Sequence, residues 1–244
     1  MIVYGLSDVG LKRKSNQDSI YYGQNSCGEY LAIVCDGIGG GKAGDVASNI
    51  AVSKLAEAFI LKVRFISDEE EYTWIEAAVK AVNDIIFTQS TTIRSQKGMG
   101  TTLAGVLITN NGTYLFHLGD SRVYGLYDDF VSLTEDHNLA SDLLKRGEIN
   151  EHDAINHPNG NMLTNALGIW DKANVDIVKI KNNYRLLLVC SDGLHSYVDE
   201  TIIKNLVSLD EPIERRCERL ISASKSVGGY DNVSVILIER GEQS

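Results

Sequence analysis

The sequence has few of the residues that divide or cross-link a chain. Among its 244 residues are only 2 prolines and 4 cysteines, and no segment rich in Ser, Gly or Pro forms a linker. The cysteines form no CxxC pair, and Cys35 and Cys190 lie inside apolar segments, so we expect no disulfide framework. One domain spanning residues 1–244 is therefore predicted.

The sequence also lacks a long uncharged apolar run and an excess of basic residues. The opening residues MIVYGLSDVG have neither the basic region nor the apolar region of a signal peptide, and no apolar run could span a bilayer. The 33 acidic and 23 basic residues give a net charge of −10. This balance argues against nucleic acid or an anionic membrane as the main partner, and we expect a cytoplasmic protein.

What the sequence does contain is a set of aspartates at the ends of apolar segments. Asp36 follows LAIVC and precedes Gly37, Asp120 follows YLFHLG, Asp192 follows LLLVCS, and Asp231 comes just before VSVILIE. A single Asp-Gly pair is most often a turn, but this repetition favours convergence on one edge of a sheet. Because clustered carboxylates repel one another, a cation is needed among them, and Mg²⁺ and Mn²⁺ prefer oxygen ligands.

Other polar residues leave more than one interpretation open. Arg13 and Asp18 lie in the polar segment GLKRKSNQDS, and an arginine there suits a salt bridge as well as a phosphate. His117 lies within a strand pattern, which is more typical of a core or cross-strand residue than of a ligand. His152 and His157 lack the spacing of a metal site and stay unassigned.

Hydrophobic periodicity predicts a mixed α+β architecture. Helices are expected over Ala43 to Leu61 and after the capping box of Ser67 to Glu70, whereas short strands with tight turns follow Gly98. Helices grouped between runs of antiparallel strands indicate a layered sandwich. The polar segment 138–168 is either a lid facing the substrate or an exposed connection.

Eight motifs together carry a resemblance to a known family. They are, in chain order, GLKRKSNQD, DGIGGGKAGDVAS, GMGTTL, HLGDSR, TEDHNLASDLLKRGEI, HPNGNMLTNALG, CSDGL and GGYDNVSV. In this order they resemble the metal-dependent Ser/Thr protein phosphatases, the protein phosphatase 2C or PPM family, in its compact bacterial form. The resemblance runs from about Leu6 to Glu239. It implies a four-layer α-β-β-α sandwich, in which two antiparallel sheets are flanked by helices, with 138–168 as a flap.

The resemblance also implies a set of metal ligands. Asp36 corresponds to the carboxylate that bridges two Mn²⁺ or Mg²⁺ ions, and the carbonyl of Gly37 to a ligand of one of them. Asp192 and Asp231 correspond to ligands of the other ion. Asp120 corresponds to a ligand of a third, weaker site shared with Asp192.

The implied reaction is hydrolysis of phosphoserine and phosphothreonine by a water that two metal ions activate. Arg13 matches the arginine that holds the substrate phosphate, and Asp18 matches the acid that orients the attacking water. Phosphorylated proteins are the expected substrates, a bacterial Ser/Thr kinase the expected opposing enzyme, and a monomer the expected state.

Some positions depart from the family pattern. Ile38 stands where some eukaryotic members have a histidine regarded as a general acid, and Gln17 stands where many relatives have Glu. Gly160 and Asn165 stand where many bacterial relatives carry Arg, which leaves substrate preference open. A small phosphoester or one dedicated regulatory phosphoprotein is an alternative substrate. A catalytically silent binding module is disfavoured, because the arginine and the carboxylates are all present.

Overall fold

The computed structural model of the protein describes residues 1–40 and 43–241. Within these ranges the chain forms eleven β-strands and seven α-helices. Gly41, which belongs to the glycine run after Asp36, lies outside the described residues.

The strands form two antiparallel sheets. The first contains, in spatial order, β1 (Ile2–Asp8), β11 (Val233–Glu239), β10 (Leu186–Cys190), β7 (Arg122–Leu126) and β8 (Phe130–Ser132). The second contains β2 (Asp18–Gln24), β3 (Tyr30–Ile38), β5 (Leu103–Ile108), β6 (Thr113–Leu118) and β9 (Asp176–Ile180), and β4 (Gly100–Thr101) pairs with the end of β3.

Helices cover the outer faces of both sheets. The second sheet is covered by α1 (Ala43–Leu61) and α2 (Asp68–Thr92). The first is covered by α5 (Asp192–His195), α6 (Glu200–Val207) and α7 (Ile213–Ser226). Two short helices, α3 (Leu139–Lys145) and α4 (Glu151–Ile155), lie in the connection between β8 and β9. The predicted four-layer α-β-β-α sandwich is confirmed.

Apolar side chains fill the three spaces between these four layers. Phe59 and Phe116 lie in the space between the second sheet and the helices α1 and α2. Val34 and Ile236 lie in the space between the two sheets. Strands β5 and β6 are buried at every residue, because both faces of the second sheet are covered. Burial of this apolar area is the main stabilising contribution to the sandwich.

The predicted cap of α2 is also present. The side chain of Ser67 accepts a hydrogen bond from the backbone N–H of Glu70 at 3.3 Å. The carboxylate of Glu70 in turn accepts from the N–H of Ile66 at 2.8 Å, one residue earlier than in the standard capping box. This local pairing explains why the start of α2 could be predicted from sequence alone.

Two close backbone approaches position the strand ends that carry aspartates. A Cβ atom on Gly37 would lie 2.1 Å from the carbonyl oxygen of Gly44, so the end of β3 packs directly on the start of α1. A Cβ atom on Gly193 would lie 1.8 Å from the carbonyl oxygen of Asn232. The start of α5 therefore packs directly against the loop that carries Asp231.

We expect Gly193→Ala to destabilise the protein and to separate Asp192 from Asp231. In an open helix this change adds about 0.5–1 kcal/mol of stability, whereas the clash with Asn232 costs about 1–3 kcal/mol. Chemical unfolding should show a net loss, and calorimetry should show weaker Mn²⁺ binding. Gly40→Ala is the control, because a Cβ atom there meets nothing within 4 Å. Equal unfolding midpoints for the two variants would contradict this account.

Candidate active site

The predicted aspartates meet at one cavity of about 430 Å³. Its acidic lining consists of Asp36, Asp120, Asp192 and Asp231. Asp36 and Asp120 come from the ends of β3 and β6 in the second sheet, while Asp192 and Asp231 flank β10 and β11 in the first. The expectation of a single sheet edge was therefore wrong: the carboxylates converge from both sheets, where the ends of the two layers meet.

Hydrogen bonds on both sides of Asp36 fix its backbone. Its N–H donates to the hydroxyl of Thr102 at 2.9 Å, and its carbonyl accepts from the N–H of Thr102 and from the hydroxyl of Thr101, each at 2.8 Å. The hydroxyl of Thr102 also hydrogen-bonds Ser121 at 2.7 Å. The same threonine therefore ties the end of β3 to the loop that carries Asp120.

Asp18 lies behind the cavity and is not one of its lining residues. It pairs directly with Asp36 across strands β2 and β3, and it is buried. Its Oδ2 accepts hydrogen bonds from the hydroxyls of Ser191 and Ser234, both at 2.7 Å. Its Oδ1 is buried and has no hydrogen-bond partner within the described ranges. One oxygen of Asp18 is thus held firmly, while the other is left to interact with a group that the protein does not supply.

Arg13 and Asp231 form an ion pair at the mouth of the cavity. Arg13 Nη2 donates to Asp231 Oδ2 at 2.6 Å, and about half of the Arg13 side chain, 51%, is exposed. The salt-bridge interpretation of Arg13 is therefore realised in this structure. That Arg13 binds a substrate phosphate stays a prediction. Its ion pair with Asp231 holds the guanidinium beside the carboxylates.

Asn232 organises the loop before β2. Its Nδ2 donates to the carbonyls of Val9 and Ser15 at 2.9 and 3.0 Å, and its Oδ1 accepts from the N–H of Gln17 at 2.8 Å. Sequence reasoning missed this residue, as it missed Ser191 and Ser234, although each lies in a motif beside a predicted ligand. All three are polar residues within or beside buried apolar segments, and this is the sequence signal by which they could have been predicted.

The loop after β6 presents Asp120. Gly119 takes a φ of +94°, a left-handed conformation that favours glycine, and turns the chain there. His195 Nε2 donates to the carbonyl of Asp120 at 2.9 Å, which links this loop to α5. Arg122 of the same motif binds the carboxylate of Asp136 through two hydrogen bonds, at 2.7 and 2.8 Å, and so has a structural role.

Burial and mutual repulsion disfavour the charged forms of Asp18, Asp36, Asp120 and Asp192. Burial, followed by the neighbouring charges of Asp18 and Asp192, raises the pKa of Asp36 well above its usual value. Burial and then Asp231 raise the pKa of Asp192. Burial is also the main cause that raises the pKa of Asp18 and of Asp120 to about 7. The ionised carboxylates of the site therefore repel one another, and an added positive charge would reduce this repulsion.

The donor set fits a hard divalent cation. The cluster offers carboxylate oxygens together with Gly37, which also lines the cavity, and no imidazole or thiol is among the described lining residues. Asp192 Oδ1, like Asp18 Oδ1, is buried without a hydrogen-bond partner in the described part of the chain. Oxygen donors of this kind suit Mg²⁺ or Mn²⁺ better than zinc.

The flap segment forms one wall of the cavity. Asn161, Leu163 and Ala166 belong to segment 138–168, and Ile169 and Trp170 extend the same wall. The segment thus faces the carboxylates, and the wall reaches two residues beyond the predicted end of the flap.

The flap is anchored to the sandwich by backbone pairing. Leu167 pairs with Thr101 beside the end of β3. Gly160 and Asn165, which depart from the family pattern, do not line the cavity, and the side chain of Asn165 instead binds His137 and the carbonyl of Asn174. This wall therefore lacks the arginines that many bacterial relatives carry at positions 160 and 165.

None of the helices within residues 1–40 and 43–241 combines the length and the apolar character needed to cross a bilayer.

Comparisons with known proteins agree with this site. Residues 12–231 match a family model described as Protein phosphatase 2C. The serine/threonine phosphatase Stp of Listeria monocytogenes is 37% identical over 96% of this chain and 94% of its own, and the protein phosphatase PhpP of Streptococcus pneumoniae is 33% identical over 98% and 97%. The crystal structure of the serine/threonine phosphatase Stp1 from Staphylococcus aureus superposes with a TM-score of 0.91 at 29% identity, covering 98% of this chain and 94% of that one.

We expect Asp120→Asn to stabilise the metal-free protein, and more so as pH rises. A raised carboxyl pKa means that the folded state binds the proton more tightly, so the Asp120 contribution to stability falls between about pH 4 and the pKa of about 7. Asparagine removes that loss. Urea unfolding in excess chelator should show a gain that grows by about 2 kcal/mol between roughly pH 5 and pH 8.

The buried histidines make the comparison between variants necessary. Burial lowers the pKa of His117 and of His195 to about 4, and their contribution to stability changes in the opposite direction over this range. It cancels when Asp120→Asn is compared with wild type at each pH. The exposed Asp210→Asn should change stability by less than about 0.5 kcal/mol. A pH-independent difference for Asp120→Asn would rule out stored repulsion at this position.

Proposed function

The chain belongs to the protein phosphatase 2C family, and we propose that it is a metal-dependent phosphoprotein phosphatase acting on phosphoserine and phosphothreonine. The observation that carries this proposal is the cavity in which buried carboxylates face an arginine. Such a site needs divalent cations for neutrality, and cations beside a guanidinium form a pocket for a phosphate group. The curated relatives at 33–37% identity are named as phosphatases, which agrees with this chemistry.

We assign Mn²⁺ or Mg²⁺ to a core site held by Asp36, Gly37, Asp192 and Asp231. Asp120 and Asp192 are assigned to a third, weaker site. Cations held there would lower the pKa of the attacking water and would neutralise charge on the phosphoryl oxygens.

The chain's own residues bind and orient the reacting groups. Arg13 uses one N–H for Asp231, and the remaining N–H donors of its guanidinium are available for the substrate phosphate. Asp18, whose Oδ2 is fixed by two serines, keeps Oδ1 to orient the attacking water. Ile38 lines the cavity and cannot donate a proton, so a bound water or another group has to protonate the leaving alkoxide.

The form of the cavity favours a phosphorylated side chain on a polypeptide. It combines the acidic floor with an apolar wall from Leu163, Ile169 and Trp170, and such a wall can contact residues next to the phosphorylated one. Phosphorylated proteins are therefore the proposed substrates, and a Ser/Thr kinase must supply them. Comparing turnover of phosphopeptides with that of metabolite phosphates separates this assignment from a small-phosphoester enzyme.

We expect phosphate release from a phosphothreonine peptide to require Mn²⁺ and Asp192. Asp192 belongs to both proposed metal sites, so Asp192→Asn should reduce the rate by roughly 100-fold or more, as should excess chelator on wild type. Asp210→Asn serves as the control for loss of one carboxylate and should retain the wild-type rate. Full activity of the wild type in excess chelator would contradict the metal-dependent mechanism.

Arg13→Ala should raise KM for the phosphopeptide more than it lowers kcat. A charged hydrogen bond contributes about 1.5–3 kcal/mol, so KM should rise about tenfold to a hundredfold, and Arg13→Lys should recover part of that loss. Steady-state kinetics with Lys14→Ala as the neighbouring-charge control make the comparison. An unchanged KM in Arg13→Ala would restrict Arg13 to its ion pair with Asp231.

A further inference from the structure

A second group of candidate metal ligands lies outside the carboxylate cavity. It consists of His117 on β6, His137 in the loop after β8, and Asp176 at the start of β9. One ligand atom from each residue lies within 4.8 Å of the other two. His117 and Asp176 are direct partners in the β6–β9 ladder, and the rings of His117 and His137 have centroids 4.3 Å apart. None of the three lines the carboxylate cavity.

Hydrogen bonds hold the two rings in place and define their protons. The carbonyl of Glu135 lies 2.8 Å from His117 Nε2, and because a carbonyl only accepts, the neutral ring of His117 keeps its other nitrogen unprotonated. The N–H of Gly119 points at His137 Nδ1, so His137 Nε2 carries the proton and donates to Asp176 Oδ2 at 3.0 Å. A hydrogen bond therefore joins two candidate ligands of the group.

Burial keeps the first imidazole neutral, as a metal ligand must be. His117 is only 3% exposed, and burial, together with the neighbouring ring of His137, lowers its pKa to about 4. At neutral pH its lone pair is available without competition from a proton.

Solvent reaches the group through a separate cavity. This cavity has a volume of about 310 Å³, and both His117 and Asp176 line it. The Asp176 side chain is 58% exposed, so it can move towards a cation without disturbing the core. The cavity also has room for a water molecule as a fourth ligand.

We propose that His117, His137 and Asp176 form a binding site for one zinc ion, separate from the carboxylate centre. Two imidazole nitrogens, one carboxylate and one water match the donor set of four-coordinate zinc, whereas Mg²⁺ and Mn²⁺ are better served by oxygen alone. Zinc takes the place of the proton between His137 and Asp176. That proton passes to solvent, because Nδ1 of the ring already accepts hydrogen bonds from Gly119 and Asn165, so zinc binds more weakly as pH falls.

The site would connect zinc binding to the flap. The backbone N–H of Thr164 donates to the carbonyl of His137 at 2.9 Å, and Asn165 Nδ2 lies 3.1 Å from His137 Nδ1. Loss of the Nε2 proton makes Nδ1 a stronger acceptor, so zinc binding should strengthen its hydrogen bond from Asn165. The flap residue Asn165 therefore responds to the state of the His137 ring, and Thr164 ties the flap to the His137 backbone.

Calorimetry on the full chain, with Mg²⁺ saturating the carboxylate centre, tests the proposal. Zn²⁺ titrated into wild type should bind with a stoichiometry of one. Asp176→Asn, an exposed change that leaves the core intact, should weaken binding at least tenfold, while the matched change Asp171→Asn in the same segment should leave it unaltered. No Zn²⁺ binding by wild type, or equal binding by Asp176→Asn, would overturn the site.

A spectroscopic probe separates the two centres. Co²⁺ replaces Zn²⁺ in four-coordinate sites and gives visible absorption there. Asp192→Asn, which impairs the carboxylate centre, should retain this absorption, whereas His117→Gln and Asp176→Asn should lose it, with thermal melting to confirm that each variant is folded. Absorption that disappears in Asp192→Asn and persists in Asp176→Asn would assign the metal to the carboxylate centre and refute the proposal. Neither readout depends on phosphatase activity.

Discussion

The repulsion among buried carboxylates is the constraint on which this structure depends. Burial, and then the charges of neighbouring carboxylates, disfavour the charged forms of Asp18, Asp36 and Asp192. Folding alone cannot relieve this repulsion, because the hydrogen bonds from Ser191 and Ser234 satisfy only one oxygen of Asp18. Packing of the sandwich therefore offsets the cost of keeping these carboxyl groups buried side by side, a cost that a bound cation would reduce.

The two-sheet architecture explains how so many acidic groups reach one place. Each sheet contributes strand ends on the same side of the molecule, and glycines at the crossings allow backbones to touch without intervening side chains. Gly37 against Gly44 and Gly193 against Asn232 are the two contacts that set the spacing. The flap then closes one wall with apolar side chains, so the cavity has a charged floor and a partly dry side.

Sequence reasoning predicted the layers, the strands and helices that flank the site, and the four aspartates, Gly37 and Arg13 among the residues that line it. These signals are local: Ser67 caps its own helix, and Asp36 lies near the end of its own apolar strand. The convergence of two sheets was not predictable in the same way, because it depends on pairing between distant strands. Ser191 and Ser234 reach Asp18 from 173 and 216 residues away along the chain, and no spacing rule links them. The strand pattern predicted a core or cross-strand role for His117, which the structure confirms, but its proximity to His137 and Asp176 depends on long-range contacts that the sequence does not indicate.

The pairing of β1 with β11 has a consequence for biosynthesis. Ile2 lies opposite Glu239, and Arg13 contacts Asp231, which follows it by 218 residues. A polypeptide emerging from the ribosome therefore presents its first strand long before the partner strand exists. The centre between the sheets cannot assemble until translation of β11 is complete. A fragment that ends before β11 therefore lacks the strand between β1 and β10, and its first sheet cannot close beside the centre.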